Sequence, residues 1–285
     1  MIERTYSGAK PKTAMPAGAT DTQMHMYLPD FPAQPGGPPL PEGLPGPAAY
    51  RQVMDWLGIE RVVITQGNAH QHDNANLVAC LREMGPAARG VASITGETSD
   101  TDMETLHQTG VRGARIMDLL GGAVGLEALE AVDARAHAFG WCVAVQFDGT
   151  HLLEHEPRLK RLQSRYIIDH HGKFFSGISP DSPEVDALKR LIDGGNCWFK
   201  FAGCYESSRS GPPDYEDIAA VARVMAAHAP ERILWGTNWP HNLIKRTEDY
   251  PDDAVLLDTV LGWVPEEHRK KVLVDSPAAL FDFAD

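Results

Sequence analysis

The sequence predicts an α/β protein folded as a (β/α)8, or TIM, barrel, and three observations support this prediction. Short apolar runs alternate eight times with longer amphipathic patterns. The 285 residues suit one such barrel, which needs about 250. Polar residues directly follow several of the apolar runs. An open, doubly wound sheet is the alternative, but no G-x-G-x-x-G follows the first run.

The predicted strands and helices alternate without an internal repeat or a linker, so we expect a single barrel domain over residues 1–285. The strands are the apolar runs at 19–27, 61–66, 90–94, 113–117, 142–147, 166–170, 197–203 and 232–237. The helices are the amphipathic patterns at 47–57, 74–84, 102–110, 126–139, 154–163, 182–193, 215–229 and 266–274. Some begin with cap-like residues. Ser182-Pro183, for example, places proline at the first helical position, where a backbone N–H has no partner to lose.

The segment 29–47, directly after the first predicted strand, holds eight prolines and four glycines. Proline lacks a backbone donor, so such a segment cannot form a helix or a central strand. Long irregular loops in compact domains are usually functional or disordered. We therefore expect a Pro/Gly-rich lid over the mouth of the barrel, with a surface linker as the alternative.

Charge and composition exclude several kinds of partner. The net charge is −13 and no run of Lys or Arg is present, which argues against a nucleic-acid partner. An anionic small molecule remains compatible, because a few arginines in a cleft can dominate the local field. The four cysteines lack C-x-x-C spacing, and neither an apolar leader nor a run of about 18 apolar residues occurs. We expect a cytoplasmic protein with reduced thiols and no membrane partner; the sequence carries no signal for its oligomeric state.

Polar residues at the ends of the predicted strands are the candidate site residues, because these ends share one mouth in a barrel. In chain order they are Gln23, His25, Arg115, Gln146, His170, Lys200, Tyr205, Arg209, Asn238 and His241. Of the adjacent His170 and His171, we expect one to face the site, because successive side chains of a strand point to opposite faces.

Asn238 is the most informative of these residues. It follows the last predicted strand and a Gly236-Thr237 turn. An aspartate at this place could bind a metal ion or take a proton from water. An asparagine can do neither, because a neutral amide has no accessible basic form. The sequence therefore indicates a site built like that of a hydrolase but without the group that would activate water.

Three motifs resemble those of a known family. Gln23-Met24-His25 stands where the amidohydrolase superfamily has its H-x-H metal motif, and 169–172 (DHHG) and 235–241 (WGTNWPH) match two further blocks. The resemblance covers roughly residues 18–282. It is greatest to the metal-independent, 2-pyrone-4,6-dicarboxylate lactonase-like branch, and within that branch to isomerases of sugar-diacid lactones. An amidohydrolase-like barrel is implied.

The departures from the metal-dependent pattern predict that no metal and no other cofactor is used. Gln23 replaces the first histidine of H-x-H, and Asn238 replaces the last aspartate. A divalent-metal site needs histidine and carboxylate ligands, and two of them are missing.

The resemblance implies an enzyme that isomerises a sugar-diacid δ-lactone, of galactaro or glucaro configuration, to its γ-lactone in galacturonate catabolism. The free hydroxyl one carbon nearer the carbonyl would attack it within the same molecule, which is worth up to about 7–11 kcal/mol in well-oriented cases. On this interpretation His170, Asn238 and His25 are catalytic. Arg115, Lys200 and Arg209 would hold the substrate carboxylate, and Gln23, Gln146, Tyr205 and His241 would contact its hydroxyls.

Three other functions remain open at this point. The first is a metal-independent lactone hydrolase in which a histidine replaces the missing aspartate base. The second is a binding protein derived from an enzyme fold, although the retained polar residues argue against a decayed site. A zinc-dependent hydrolase or decarboxylase ranks last.

Overall fold

Eight parallel strands form one sheet in which hydrogen-bonded neighbours follow chain order, β1 to β8. The structure is a computed structural model and describes residues 2–283. The predicted (β/α)8 barrel is confirmed. The strands are β1 (Thr20–Met24), β2 (Arg61–Thr65), β3 (Ala88–Ala92), β4 (Val111–Met117), β5 (Cys142–Gln146), β6 (Tyr166–Ile168), β7 (Cys197–Phe201) and β8 (Ile233–Trp235).

Helices follow the strands and cover the outside of the sheet. They are α1 (Pro47–Leu57), α2 (Ala75–Met84), α3 (Asp100–Thr109), α4 (Leu129–Ala138), α5 (Leu152–Leu159), α6 (Pro183–Asp193), α7 (Glu216–His228), α8 (Asp253–Leu261) and α9 (Ser276–Phe281). Within residues 2–283, none of the helices combines the length and the apolar character needed to cross a membrane.

The sequence did not predict α8. Six of its nine residues are buried, so its apolar residues do not form a single stripe that contrasts with a polar face. The pattern predicted at 266–274 is helical but irregular. A 3-10 turn (Glu266–His268) and a π turn (Lys271–Asp275) lead into α9.

Several strands end earlier than predicted at the mouth of the barrel. β6 ends at Ile168 and β8 at Trp235, whereas the predicted strands extended to 170 and 237. Beyond these ends His170 and Asn238 have φ angles of 50° and 63°. Such left-handed conformations are incompatible with a strand and cost a non-glycine residue about 1–2 kcal/mol. The chain therefore leaves the sheet where the candidate site begins.

The seam between β8 and β1 is joined by one bridge, Met24 with Trp239, and by buried side chains. The carboxylate of Asp21 accepts hydrogen bonds from the Thr237 amide (3.0 Å), the Thr237 hydroxyl (2.5 Å) and the Tyr50 hydroxyl (2.5 Å). The backbone N–H of Asn238 donates to the backbone carbonyl of Gln23 at 2.8 Å. These bonds fix the last strand end against the first.

The interior of the barrel is layered because alternate side chains of each strand point inward. The lower layer is apolar and packs on the C-terminal segment that closes the bottom. Its members include Val63, Val91, Ala144, Ile167, Trp198, Leu234, Leu280 and Phe281. Two residues further along the strands, the inward positions become polar: Thr65, Arg115, Gln146, Asp169 and Lys200. This switch from an apolar to a polar layer marks the floor of the candidate site.

Candidate active site

A cavity of about 850 Å³ opens at the carboxyl ends of the strands. Its wall brings together His25, Asn68, Arg115, Gln146, His170, Lys173, Glu206 and Asn238. Residues 38–42 of the Pro/Gly-rich segment and residues 243–248 line its outer part. The volume and the few convergent polar groups are those of a site for a small molecule.

Left-handed backbone conformations concentrate at this cavity. Of the nine non-glycine residues with positive φ in the described chain, five lie in or beside it: His170, His171, Lys173, Asn238 and His241. Strained conformations of this kind tend to cluster at functional sites, where the surrounding structure holds them in place.

Lys200 lies beneath the cavity and does not reach it. Its side chain is fully buried, and its Nζ lies 2.9 Å from Gln23 Oε1 and 3.3 Å from Asp169 Oδ1. The structure therefore does not place Lys200 where it could contact a carboxylate in the cavity, contrary to the expectation from the sequence. Gln23 is likewise turned toward Lys200 and Thr65 instead of the cavity. The ammonium instead compensates a buried carboxylate: burial opposes the ionisation of Asp169, but Lys200 and His170 lower its pKa well below the ordinary value.

Arg115 is the buried cation of the cavity wall. Its guanidinium donates to the Gln66 carbonyl (2.8 Å), Asn68 Oδ1 (2.9 Å) and Gln146 Oε1 (3.2 Å). These contacts hold the planar group in one orientation, and the buried Nε has no partner. A guanidinium fixed in this way can form a bidentate pair with a carboxylate, through two parallel hydrogen bonds.

His25 lies across the cavity with its Nδ1 2.9 Å from the Thr65 carbonyl. A carbonyl only accepts, so Nδ1 carries the hydrogen and Nε2 keeps a lone pair. Burial, together with the nearby Arg115, lowers the pKa of His25 to about 3. The ring is therefore neutral at ordinary pH and is a weak proton acceptor.

The two adjacent histidines have different surroundings. His170 lines the cavity. The His171 ring stacks on Phe201 with centroids 4.9 Å apart and also contacts Phe199 and Trp263. The different surroundings of His170 and His171 do not arise from the alternation of side chains along a strand, because both residues lie past the end of β6 in a left-handed turn. Burial lowers the pKa of His171 to about 3.

Asn238 is held by hydrogen bonds on both sides of its amide. Its Nδ2 donates to Tyr205 Oη at 2.9 Å and to Glu206 Oε1 at 2.8 Å, and its Oδ1 lies 3.1 Å from His170 Nε2. Behind Tyr205, His241 Nδ1 lies 2.7 Å from the tyrosine hydroxyl. His241 Nε2 lies 3.0 Å from the buried Asp253.

This chain of contacts fixes the polarity of the amide. Asp253 accepts a hydrogen bond from His241 Nε2, so Nδ1 of the same ring carries a lone pair and accepts from the Tyr205 hydroxyl. The Tyr205 oxygen in turn accepts from Asn238 Nδ2. Tyr205 and His241 do not line the cavity, contrary to the expectation that they contact substrate hydroxyls. They orient Asn238 from behind.

Arg209 lies outside the site. It is exposed, its Nη1 donates to the Ser176 carbonyl at 2.8 Å, and it does not line the cavity. The structure does not bring Arg209 to the cavity where it was expected to hold the substrate carboxylate, because the loop after β7 turns the side chain toward Ser176.

Lys173 and Glu206 belong to the cavity wall, although neither was among the site residues predicted from the sequence. They form a buried ion pair. Burial opposes the ionisation of Glu206, but Lys173 and His170 outweigh it and lower its pKa. Both residues lie in turns beyond the strand ends, where no periodic pattern indicates which side chain points inward. The position of Glu206 directly after Tyr205, a predicted site residue, was the only sequence feature that could have indicated Glu206 as a site residue.

The residues at the seam do not suit a divalent metal ion. The Lys200 ammonium lies beside Gln23, and Gln23 and Asn238 offer neutral amides in place of a histidine and a carboxylate. Among residues 2–283 no group of three or more His, Cys, Asp or Glu side chains could hold a metal ion.

The fold and the site define a class of protein: a (β/α)8 barrel with a polar cavity at the carboxyl ends of its strands, where such enzymes carry their chemistry. The chain belongs to the amidohydrolase family, whose model, described as "Amidohydrolase", matches residues 19–283.

Two curated relatives are similar over almost the whole chain. D-galactarolactone isomerase of Agrobacterium fabrum (strain C58) is 62% identical over 98% of this chain and 96% of its own length. The 2-pyrone-4,6-dicarboxylate hydrolase of Comamonas testosteroni is 32% identical over 96% of this chain and 93% of its own. An apo crystal structure of an Agrobacterium tumefaciens protein is 61% identical, covers 99% of both chains and superposes with a TM-score of 0.96.

Proposed function

We propose that this protein isomerises a sugar-diacid δ-lactone, with D-galactaro-δ-lactone as the substrate, to the corresponding γ-lactone. The observation that carries the proposal is the amide of Asn238, fixed between His170, Glu206 and Tyr205 where a base for water would be needed. The activity named for the relative at 62% identity supports the same reaction.

The reaction needs no external nucleophile. The substrate hydroxyl one carbon nearer the ester carbonyl attacks it, a tetrahedral intermediate forms, and the ring oxygen leaves. Holding the two groups together within one molecule can be worth about 7–11 kcal/mol of the barrier. The Arg115 guanidinium would bind the free carboxylate, with Gln146 beside it for a hydroxyl.

His170 is placed to stabilise the oxyanion. Its Nδ1 lies 3.0 Å from Asp169 Oδ1 and its Nε2 lies 3.1 Å from Asn238 Oδ1. The amide oxygen only accepts, so Nε2 carries a hydrogen, and His170, which lines the cavity, offers this N–H as a donor. A negative charge that develops on the carbonyl oxygen is stabilised there.

Residues 29–47 would act as a lid in this proposal, since residues 38–42 line the outer cavity. We also propose that residues 1–285 form one domain that works in the cytoplasm, in galacturonate catabolism, without a metal, other cofactor or nucleic-acid partner. Metal analysis of the purified protein tests one part of this: a stoichiometric, tightly held metal would refute it.

A proton-NMR time course with fresh D-galactaro-δ-lactone, in buffer treated with a chelator, tests the reaction. We expect γ-lactone to form ahead of the open-chain diacid and faster than it forms spontaneously. Accumulation of the open-chain diacid would instead favour the second candidate, a lactone hydrolase. One observation favours that candidate: His25 is neutral and its Nε2 keeps a lone pair that could accept a proton from water.

A further inference from the structure

The proposed isomerisation needs a group that takes a proton from the attacking hydroxyl and returns one to the leaving ring oxygen. His170 is unsuited to this task, because its Nε2 donates to Asn238 Oδ1 and so keeps no lone pair, and its Nδ1 lies 3.0 Å from the Asp169 carboxylate, not toward a substrate. His25 has a free lone pair on Nε2, but a proton there would create a second buried positive charge near Arg115, whereas a proton on a carboxylate removes a charge. Asn238 has no basic form.

Glu206 is the carboxylate that remains on the cavity wall beside Asn238. It ends the 3-10 turn after β7, and its side chain is only 7% exposed. Oε1 accepts from Asn238 Nδ2 at 2.8 Å, and Oε2 pairs with Lys173. A carboxylate has about four lone-pair directions, so these two contacts leave capacity to accept a hydrogen bond from a substrate hydroxyl.

Gly203 brings the three side chains together. A Cβ atom at this glycine would lie 2.8 Å from Asn238 Nδ2, 3.2 Å from His170 Cδ2 and 3.3 Å from Glu206 Cδ. Its φ of 59° is also one that glycine tolerates best. The carboxylate of Glu206 therefore lies within a few ångströms of both the oxyanion donor and the oriented amide.

We propose that Glu206 is the catalytic proton shuttle of this site, an inference that rests on the proposed isomerase function. As the substrate hydroxyl oxygen bonds to the ester carbon, the carbonyl π electrons move to the carbonyl oxygen and the hydroxyl proton passes to Glu206. When the carbonyl re-forms, the bond from carbon to the ring oxygen breaks and that oxygen takes the proton from Glu206. The cycle consumes no water, proton or cofactor.

The neighbours of Glu206 fit this role. The Lys173 ammonium keeps the carboxylate ionised in the resting enzyme and so ready to accept. The Asn238 amide holds Oε1 and fixes the direction of the carboxylate without competing for the proton. A single group that both accepts and returns a proton suits an isomerisation, whose substrate and product carry the same number of protons.

The test compares Glu206→Gln, Glu206→Asp and the control Glu248→Gln, which removes an exposed carboxylate at the rim of the same cavity. We expect Glu206→Gln to lower kcat for isomerisation at least 100-fold, the lower end of about 10²–10⁴ for general acid–base catalysis. KM should change less than about threefold, because Arg115 and Gln146 bind the substrate. Glu206→Asp should keep at least tenfold more activity than Glu206→Gln.

Lys173→Met is the second variant. It removes the partner of Glu206 but keeps the carboxylate, so it should lose less activity than Glu206→Gln even if both unfold at lower temperature. The proposal is overturned if Glu206→Gln keeps kcat within tenfold of wild type, if Glu206→Asp is no more active than Glu206→Gln, or if Lys173→Met is the less active of the pair. A wild-type enzyme that forms no γ-lactone would instead refute the proposed function, so the two failures are distinguishable.

Discussion

Asn238 Oδ1 lies 3.1 Å from Nε2 of His170, and this contact determines that Nε2 of the imidazole carries a hydrogen. The amide oxygen can only accept, so Nε2 must donate. An aspartate at position 238 could share or take that proton, whereas the asparagine leaves it on the histidine.

Asn238→Asp should introduce hydrolysis, because the new carboxylate can take a proton from water. It would also meet Glu206 Oε1, now 2.8 Å from Asn238 Nδ2, and like charges at that distance oppose ionisation. We therefore expect the ratio of open-chain diacid to γ-lactone to rise at least tenfold, and further in Asn238→Asp/Glu206→Gln. NMR product analysis measures the ratio.

The control for this pair is Asn196→Asp, which adds the same charge at the opposite, amino-terminal end of β7. It should leave the product ratio unchanged. The role assigned to Asn238 is wrong if neither Asn238→Asp nor the double variant changes the product ratio.

Tyr205→Phe removes one of the two acceptors that orient the Asn238 amide and the donor to His241. We expect kcat to fall about tenfold, which corresponds to about 1.4 kcal/mol. KM should remain near the wild-type value, because Tyr205 does not line the cavity. Steady-state kinetics measure both constants. Tyr166→Phe, on the outer face of β6, is the control, and equal effects of the two variants would argue against a positioning role.

Lys200→Met should act on stability more than on substrate binding. The lysine compensates Asp169 inside the barrel, and removal of one partner of a buried ion pair costs about 3–5 kcal/mol. Lys200→Met/Asp169→Asn should recover part of that loss, since no buried charge is left uncompensated. Urea denaturation measures the free energy of unfolding. A rise in KM without a loss of stability would restore the original assignment of Lys200 to substrate binding.

His171→Phe should flatten the acid side of the stability profile. Burial lowers the pKa of His171 to about 3, so the folded protein keeps the ring neutral while the unfolded chain protonates it below about pH 6.5. The unfolded state then binds more protons, and the contribution of His171 to stability falls by about 1.4 kcal/mol for each pH unit between 6.5 and 3. Unfolding free energies of both proteins from pH 4 to 7 check this.

In the phenylalanine variant this contribution to the pH dependence should disappear. The isomerase activity should persist, because His171 packs on Phe201 and Trp263 away from the cavity. The prediction is contradicted if the two profiles run parallel across this range.

The eight strands were predictable because alternation of apolar runs and amphipathic patterns is a local property of the chain. α8 was not, because burial on several sides removes the polar face that marks a surface helix. The end of β8 was placed too late because the sequence carries no local signal for the left-handed turn that follows the strand, which depends on contacts such as that of Asp21 with Thr237.

The candidate site also contains residues that were predictable from the sequence and residues whose placement depends on tertiary contacts. Arg115, Gln146, His25, His170 and Asn238 line the cavity as the strand-end argument expected. Lys200 also faces inward, but its ammonium is held by Gln23 and Asp169 and does not reach the cavity, which the sequence does not reveal. Arg209 and Glu206 lie three residues apart after the same strand, yet only Glu206 reaches the cavity.

The sequence by itself determined the barrel, the family and the replacement of a basic aspartate by Asn238, because each depends on residue identity and short-range spacing. The tertiary structure decided which polar groups meet. Glu206, Tyr205 and His170 approach Asn238 from turns 32, 33 and 68 residues away in the chain. Hydrogen bonds from these residues fix the direction of the Asn238 side-chain amide, and the amide oxygen in turn fixes a hydrogen on His170 Nε2. The elements that carry these residues come within 3.1 Å only in the folded barrel.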